Sequence, residues 1–566
     1  MTNNAKADTI LVNGKVYSVL ADNSIIRGTA VAVAGDKILK VGEDDEIRAL
    51  ADDAAEVIDC KGGTILPGMC DAHCHPSIAC ASLDGVQMFG IYKEDDQTAD
   101  DIIEIYKGMV KEYVDSHPEK KLIRGAGWVI ANFSEKRWPN RHDLDEICPD
   151  KPVVLESFCQ HNLWVNTKAL QLAGIDENTP DTETGEIIRE EDHYPGGMFK
   201  DAEALFIAKS RIPGYNPSVE ECKELFLQYQ EEYAGRYGVT MITDCMLSDE
   251  AIQAYKELAE EGKMTVRMRA VNLITPESWR DQLPRYIQGK GSMNAGEDFR
   301  IDTIKVFGEG EFVMNEPYKD EYCEASGLPK GYNGKLFYPD EELVEASAEA
   351  MKAGFSVHIH AMGETTVDQA ARCLAQAQQK AGVDNSRSVI AHLMLVSDEA
   401  AETMGKAHII ANVQPRWMIR ENDVQACVDM VGEKGEESYP FRKLADAGCV
   451  WAAGTDFPVT PPPSTIEEMH CWMNRTCFPG GPEWEQYQGR VLGNEEPATL
   501  AEAVKGLTWG GAYQMRMEEY AGTLEEGKSA DIVILDHDLE NTPKEEIYKV
   551  DIEKTFFKGK PVYERS

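Results

Sequence analysis

The chain has 566 residues, and its 99 acidic side chains against 57 Lys and Arg leave a formal charge of −42. Nucleic acids and anionic membranes are held mainly by basic side chains that neutralise phosphates, so this balance opposes both as partners. Hydrophobic residues at 42% and charged residues at 28% make an ordinary globular mixture, and no run approaches the roughly 20 apolar residues of a spanning helix. The N-terminal MTNNAKAD lacks the basic start and apolar run of a secretory signal, and the cysteines are scattered with no CxxC pair. Both features lead us to expect a cytoplasmic protein with reduced thiols.

In chain order, residues 9–19 (TILVNGKVYSV) are two apolar runs joined at Asn13-Gly14, a dipeptide suited to a tight hairpin turn. A second hairpin is expected at Gly35-Asp36. A Pro-Gly turn at Pro67-Gly68 then introduces an apolar run at 69–75. Seven more such runs follow at 239–245, 265–272, 301–307, 356–361, 389–393, 409–413 and 450–456, with helical patterns such as 340–353 and 364–381 between them. Eight strands alternating with helices predict an α/β fold, a (β/α)8 TIM-like barrel. About 160 residues separate the first strand from the second, so an inserted subdomain is expected to cap the barrel mouth. The C-terminal stretch is again rich in short β runs, and neither end alone has enough strands for a core. The expected organisation is therefore a composite β-sandwich from 1–66 and 521–566, a barrel from 67–76 and 236–520, and a cap from 77–235.

The histidines carry the chemistry. His73 and His75 are two apart on a strand, so both side chains face the same way, and two imidazoles on one face can share a metal. An HxH pair alone is weak. However, His360, His392 and Asp456 also fall at the carboxyl ends of predicted parallel strands, which in a barrel is one rim. Lys305 lies in an otherwise apolar fourth strand, where an unpaired ammonium is costly. It either snorkels or pairs with Glu309, or reacts with CO2 to give a carbamate whose two oxygens can bridge two metals. His358 lies one rung below His360 and is expected behind the ligands, while Cys74 points to the opposite face from His73 and His75.

The chain resembles the amidohydrolase superfamily, specifically family 3, the YtcJ-like branch that includes N-substituted formamide deformylases. The resemblance is carried by LPGMCDAHCHP (66–76), GAGW (125–128), LDEICPDKPVVL and HNLWVNTKAL within 144–170, and GVTMITD (238–244). It continues through IKVFGEG (304–310), HAMGE (360–364), AHLMLVS (391–397), NVQP (412–415), GTDFPV (454–459) and GTLEEGKSADIVILD (522–536). It implies a metal site on strands 1, 4, 5, 6 and 8, with His73, His75, carboxylated Lys305, His360, His392 and Asp456 as ligands. Six ligands exceed the usual four for one zinc, so two divalent ions bridged by the carbamate, zinc by expectation, fit the inventory better than one, and one-metal members of the superfamily leave one or two open.

The implied activity is hydrolysis of a C–N bond in a small molecule (amide, N-formyl or cyclic amide) by metal-activated hydroxide, an EC 3.5-type reaction other than peptide hydrolysis. Asp456 would move the proton, with His360 and His392 assisting at the oxyanion. Candidate substrate contacts are His161, Trp128 and Gln414. The insertion also offers Phe133, Trp138, Phe158 and Trp164, suited either to an apolar substituent on nitrogen or simply to packing the cap. The sequence departs from the family pattern at Glu309, Glu364 and Cys159-Gln160-His161, which bears on the substrate more than on the reaction. Deamination of a heterocyclic amine at the same site and a non-catalytic binding protein are the alternative readings. The expected partner is a small-molecule substrate, with no nucleic acid and no membrane, and a homodimer is left open.

Overall fold

The computed structural model describes residues 6–77, 85–94, 96–133, 137–159, 161–182, 185–310, 317–326, 328–460, 462–481 and 484–565. Eight strands form one sheet in sequential order, every neighbouring pair parallel. Barrel strands 1 to 8 are Met69–Cys74, Val239–Asp244, Arg267–Leu273, Phe299–Phe307, Ser356–Ala361, Val389–His392, Ile410–Val413 and Trp451–Ala453. They are buried along nearly their whole length on both faces, which is why they read as unbroken apolar runs rather than alternating ones.

Strands 8 and 1 meet without a regular ladder. The Asp456 N–H donates to the His73 carbonyl at 2.8 Å and the His75 N–H to the Phe457 carbonyl at 2.7 Å. The Asp71 carboxylate accepts from the Thr455 amide at 2.9 Å and its hydroxyl at 2.6 Å. A Cβ on Gly454 would lie 2.4 Å from the His73 nitrogen, so only glycine permits this approach. Helices such as Asp340–Lys352 and Glu364–Ala381 cover the strands, their apolar faces joining strands 4 and 5 in the largest core cluster. Gly382, left-handed at φ 69°, ends the second of these.

Strands from both chain ends share a six-stranded sheet. In it, Thr64–Pro67 pairs with Lys15–Val19 on one side and with Ile532–Leu535 on the other. A four-stranded sheet of Ala7–Val12, Ala30–Ala34, Lys37–Gly42 and Ala51–Asp59 packs against it through Leu11, Val31, Val33, Ile65, Ile532 and Phe556. The hairpin at Gly35-Asp36 is present. The one expected at Asn13-Gly14 is not. Ala7–Val12 pairs within the four-stranded sheet and Lys15–Val19 within the six-stranded one, so the chain crosses between layers there. Consecutive residues of both runs are buried, so each needs cover on two faces, and pairing with the other in one half-exposed hairpin would not supply it.

Between barrel strands 1 and 2, a further six-stranded sheet runs in the order Glu186–Arg189, Pro195–Lys200, Asn162–Val165, Val153–Ser157, Ile123–Trp128 and Val86–Gln87. Helix Ala99–Ser116 packs on it through Ile102, Ile103, Tyr106 and Val110. The described cysteines are buried and none forms a disulfide. Among the described residues no helix is long and apolar enough to cross a membrane.

Candidate metal centre

The carboxyl ends of strands 1, 4, 5, 6 and 8 bring His73, His75, Lys305, His360, His392 and Asp456 around one small cavity, shared with His161, Phe307, Trp417 and Cys159. All six are less than a tenth exposed. Ring centroids of His73 and His392 are 4.8 Å apart, those of His360 and His392 4.6 Å, and those of His73 and His75 5.4 Å. Lys305 Nζ lies 3.4 Å from His73 Nε2. His392 and Asp456 occupy left-handed backbone conformations, φ 79° and 58°. Such strain at non-glycine residues is held only by the surrounding structure and clusters at functional sites.

A buried relay sets the tautomer of His392. The Ala72 carbonyl can only accept, so Asn412 turns its NH2 toward it at 3.1 Å and its oxygen toward the Gln414 NH2 at 2.9 Å. The Gln414 oxygen then faces His392 Nδ1 at 3.0 Å. His392 must therefore donate from Nδ1, which leaves the Nε2 lone pair for the cavity. His73 is held likewise from behind, its Nδ1 2.9 Å from His358 Nε2.

Burial holds the imidazoles neutral. It pushes His73, His358 and His360 well below the usual histidine range, His392 down to about 3, and His75 down against the pull of Asp456. Burial also lowers Lys305. For Asp456 burial opposes the charge, yet His75, His392 and Lys305 outweigh it and keep the carboxyl below its usual range. Asp71, one layer deeper, is pushed up to about 7 by burial against its Thr455 hydrogen bonds.

These donors suit a divalent cation. Three of them, from His73, His392 and Asp456, lie within 4.8 Å of one another, as do those of His73, Cys245 and His358. Among the described residues His75 Nδ1 and His360 Nε2 are buried with no hydrogen-bond partner, and Asp456 Oδ1 lies 3.1 Å from His75 Nε2. Neutral imidazole lone pairs converging on a buried carboxylate form the ligand set of zinc and its neighbours.

The six expected ligands are thus brought together. His161 also reaches the cavity, its ring 5.3 Å from those of His360 and Phe307, with Nδ1 3.2 Å from Asp201 Oδ1. Gln414 is not at the cavity wall and touches His392 from behind. Trp128 does not line the cavity either; it is fully buried in the insertion, its Nε1 donating to the Leu155 carbonyl at 3.0 Å. An indole that packs against Trp164 supplies apolar area the inserted sheet needs for its own core. Of the Cys159-Gln160-His161 segment, Gln160 lies outside the described residues. Glu309, a candidate partner of Lys305, accepts from the Met362 and Gly363 amides at 2.6 and 2.7 Å. Sequence reasoning missed Asp201, Trp417 and Cys245. Cys245 alone carried a signal, its place just beyond the second strand.

Residues 56–563 match the profile of the Amidohydrolase family. The chain is 24% identical over 567 residues to N-substituted formamide deformylase of Arthrobacter pascens, covering 99% of each. It is also 24% identical over 573 residues to putative amidohydrolase YtcJ of Bacillus subtilis (strain 168), covering 98% of this chain and 99% of that protein. The solved structure of an uncharacterized metal-dependent hydrolase from Pyrococcus horikoshii OT3 superposes with a TM-score of 0.70 at 22% identity, over 95% of this chain and 99% of the other, which shows the shared fold. With the motifs, the barrel and the family profile in agreement over nearly the whole length, the chain belongs to the amidohydrolase family.

Proposed function

We propose that the chain hydrolyses a C–N bond, in an amide, N-formyl or cyclic amide, of a small molecule. The observation that carries this is the convergence of His73, His75, Lys305, His360, His392 and Asp456 on one buried cavity at the barrel rim. These residues would hold one or two divalent ions, zinc by the chemistry of the donor set, with Lys305 as a bridging carbamate in the two-ion case. A bound ion supplies a Lewis acid that polarises a carbonyl and makes water acidic near neutral pH.

The chain's own groups do the rest. Asp456, kept ionised beside His75 and His392, accepts the proton of the attacking water and returns it to the departing nitrogen. His360, whose buried Nε2 has no hydrogen-bond partner among the described residues, would help hold the ion that meets the developing oxyanion. Lys305, lowered by burial, has access to the neutral amine form that carbamate formation requires. We take the terminal strands (1–66 and 521–566) as one β-sandwich, 67–76 with 236–520 as the catalytic barrel, and 77–235 as its cap. The cytoplasm suits the described cysteines, none of which forms a disulfide.

Metal content per chain after purification without chelator, on wild type and Lys305→Ala, tests the reading. Two equivalents of zinc falling to one or none is expected for the bridged pair, and one in both proteins means a single ion with Lys305 structural. No metal in either removes the proposal.

A further inference from the structure

Beside the metal centre lies a second, larger chamber. Its volume is about 380 Å³ against about 40 Å³ for the metal cavity, and Cys159 is common to both walls. Asp201 links them as well, lining the chamber while its carboxylate holds His161 of the metal cavity at 3.2 Å. The smaller space has room for a reacting carbon and little else, so the bulk of any substrate must lie elsewhere.

The chamber walls come from two parts of the chain. The insertion contributes Phe133, Trp138 and Phe158, and the segment after strand 4 contributes Tyr318, Tyr322 and Tyr332. The tyrosines brace one another edge to face, with the Tyr318 centroid 5.7 Å from that of Tyr322 and 5.4 Å from that of Tyr332. Such a wall is built before a ligand arrives, and flat apolar groups gain most from it. Among the described residues its charges are uneven, with the carboxylates of Asp201, Asp423 and Asp429 against the single ammonium of Lys200, which sits 4.8 Å over the Trp138 ring. An anionic group entering here would lose hydration and meet like charge.

We propose that this chamber binds the non-reacting end of the substrate, and that this end is an aromatic or bulky aliphatic group without negative charge. The inference rests on the hydrolase reading for which end reacts, but the chamber's own selectivity can be measured without any chemistry. Helix Asn422–Val431 places Ala426 on the chamber wall, where a larger side chain fills the space from a half-buried position.

The test is calorimetric titration of the full-length chain with 2-phenylethanol, phenethylamine and phenylacetate, on wild type and Ala426→Trp. Saturable binding of the first two at one site, with Kd of about 1 mM or below, is expected. Phenylacetate should bind at least about tenfold more weakly, and Ala426→Trp should weaken 2-phenylethanol at least about tenfold with its circular dichroism unchanged. Absence of saturable binding to wild type, or equal binding of phenylacetate, overturns the proposal even if the variant fails to fold. A parallel assay compares N-phenethylformamide with N-methylformamide on the metal-loaded enzyme. Equal kcat/KM for both sinks the chamber while the hydrolase reading stands. If neither is cleaved but 2-phenylethanol still binds wild type and not Ala426→Trp, the chamber stands and amide hydrolysis falls.

Discussion

Single side chains at the rim are set by partners that touch no substrate. His392 presents Nε2 because a backbone carbonyl three residues removed along a chain of amides fixes the direction of every hydrogen bond between. Asp456 stays ionised in a buried place because imidazoles and an amine surround it. Asp456→Asn keeps the size and one oxygen but cannot carry the proton, so turnover should fall by about 10²-fold or more while metal content stays near wild type. Elemental analysis and steady-state kinetics on the same preparation check this. Away from the metal, His470 is held down to about 4 by burial and by Arg416. A lowered folded pKa means the unfolded chain binds the extra proton, so the contribution of His470 is fully present above about pH 6.5 and is lost as pH falls toward 4. The stability gap between wild type and His470→Gln should therefore narrow on acidification, by at most about 1.4 kcal/mol per pH unit, in urea titrations from pH 7 to 5.

At the scale of elements, the barrel closes where strand 8 ends. Three residues beyond Ala453 replace a ladder with separate contacts, namely Gly454 against His73, Thr455 on Asp71, and Asp456 on the His73 carbonyl. The backbone that completes the barrel thus also sets the spacing between His73 of strand 1 and the Asp456 carboxylate of strand 8. Gly454→Ala places a methyl against the His73 backbone and should cost about 1–3 kcal/mol by overpacking. It should also lower metal content because His73 moves. Chemical denaturation with parallel elemental analysis checks both effects, and an unchanged protein would mean that the closure has slack.

Across the whole molecule, the barrel is joined to the terminal sheet by a buried ion pair. Arg267 on strand 3 donates to Asp531, which precedes strand Ile532–Leu535, and to the Ser529 hydroxyl at 2.7 Å. Asp531 also accepts from the Lys558 amide at 2.9 Å and the Ser529 hydroxyl at 3.0 Å. Both charges are almost wholly buried, so removing one leaves the other uncompensated. Asp531→Ala should cost about 3–5 kcal/mol in denaturant unfolding, and Arg267→Met in the same chain should return part of that.

Much of this was legible in the sequence, and the reasons are physical. Doubly buried parallel strands must be apolar throughout, so all eight barrel strands stood out within a few residues of their bounds, and the candidate ligands at strand ends sit at fixed offsets from those runs. The Asn13-Gly14 crossing was not legible, because a turn dipeptide reports local backbone preference and not which sheet each flank joins. Nor was the fate of the insertion's aromatic residues. Trp128 and Trp164 went to its core, Phe158 to a chamber wall, and Phe133 and Trp138 to both, packing on that core while lining the chamber, since an apolar side chain satisfies either site and only the packed neighbours decide. The sequence by itself determined the barrel, the six rim residues and the family to which the chain belongs. The tertiary structure alone decided the tautomer of His392, the Asp201–His161 pair and the chamber beside the metal site, because each depends on groups more than twenty residues apart meeting within hydrogen-bond or van der Waals distance.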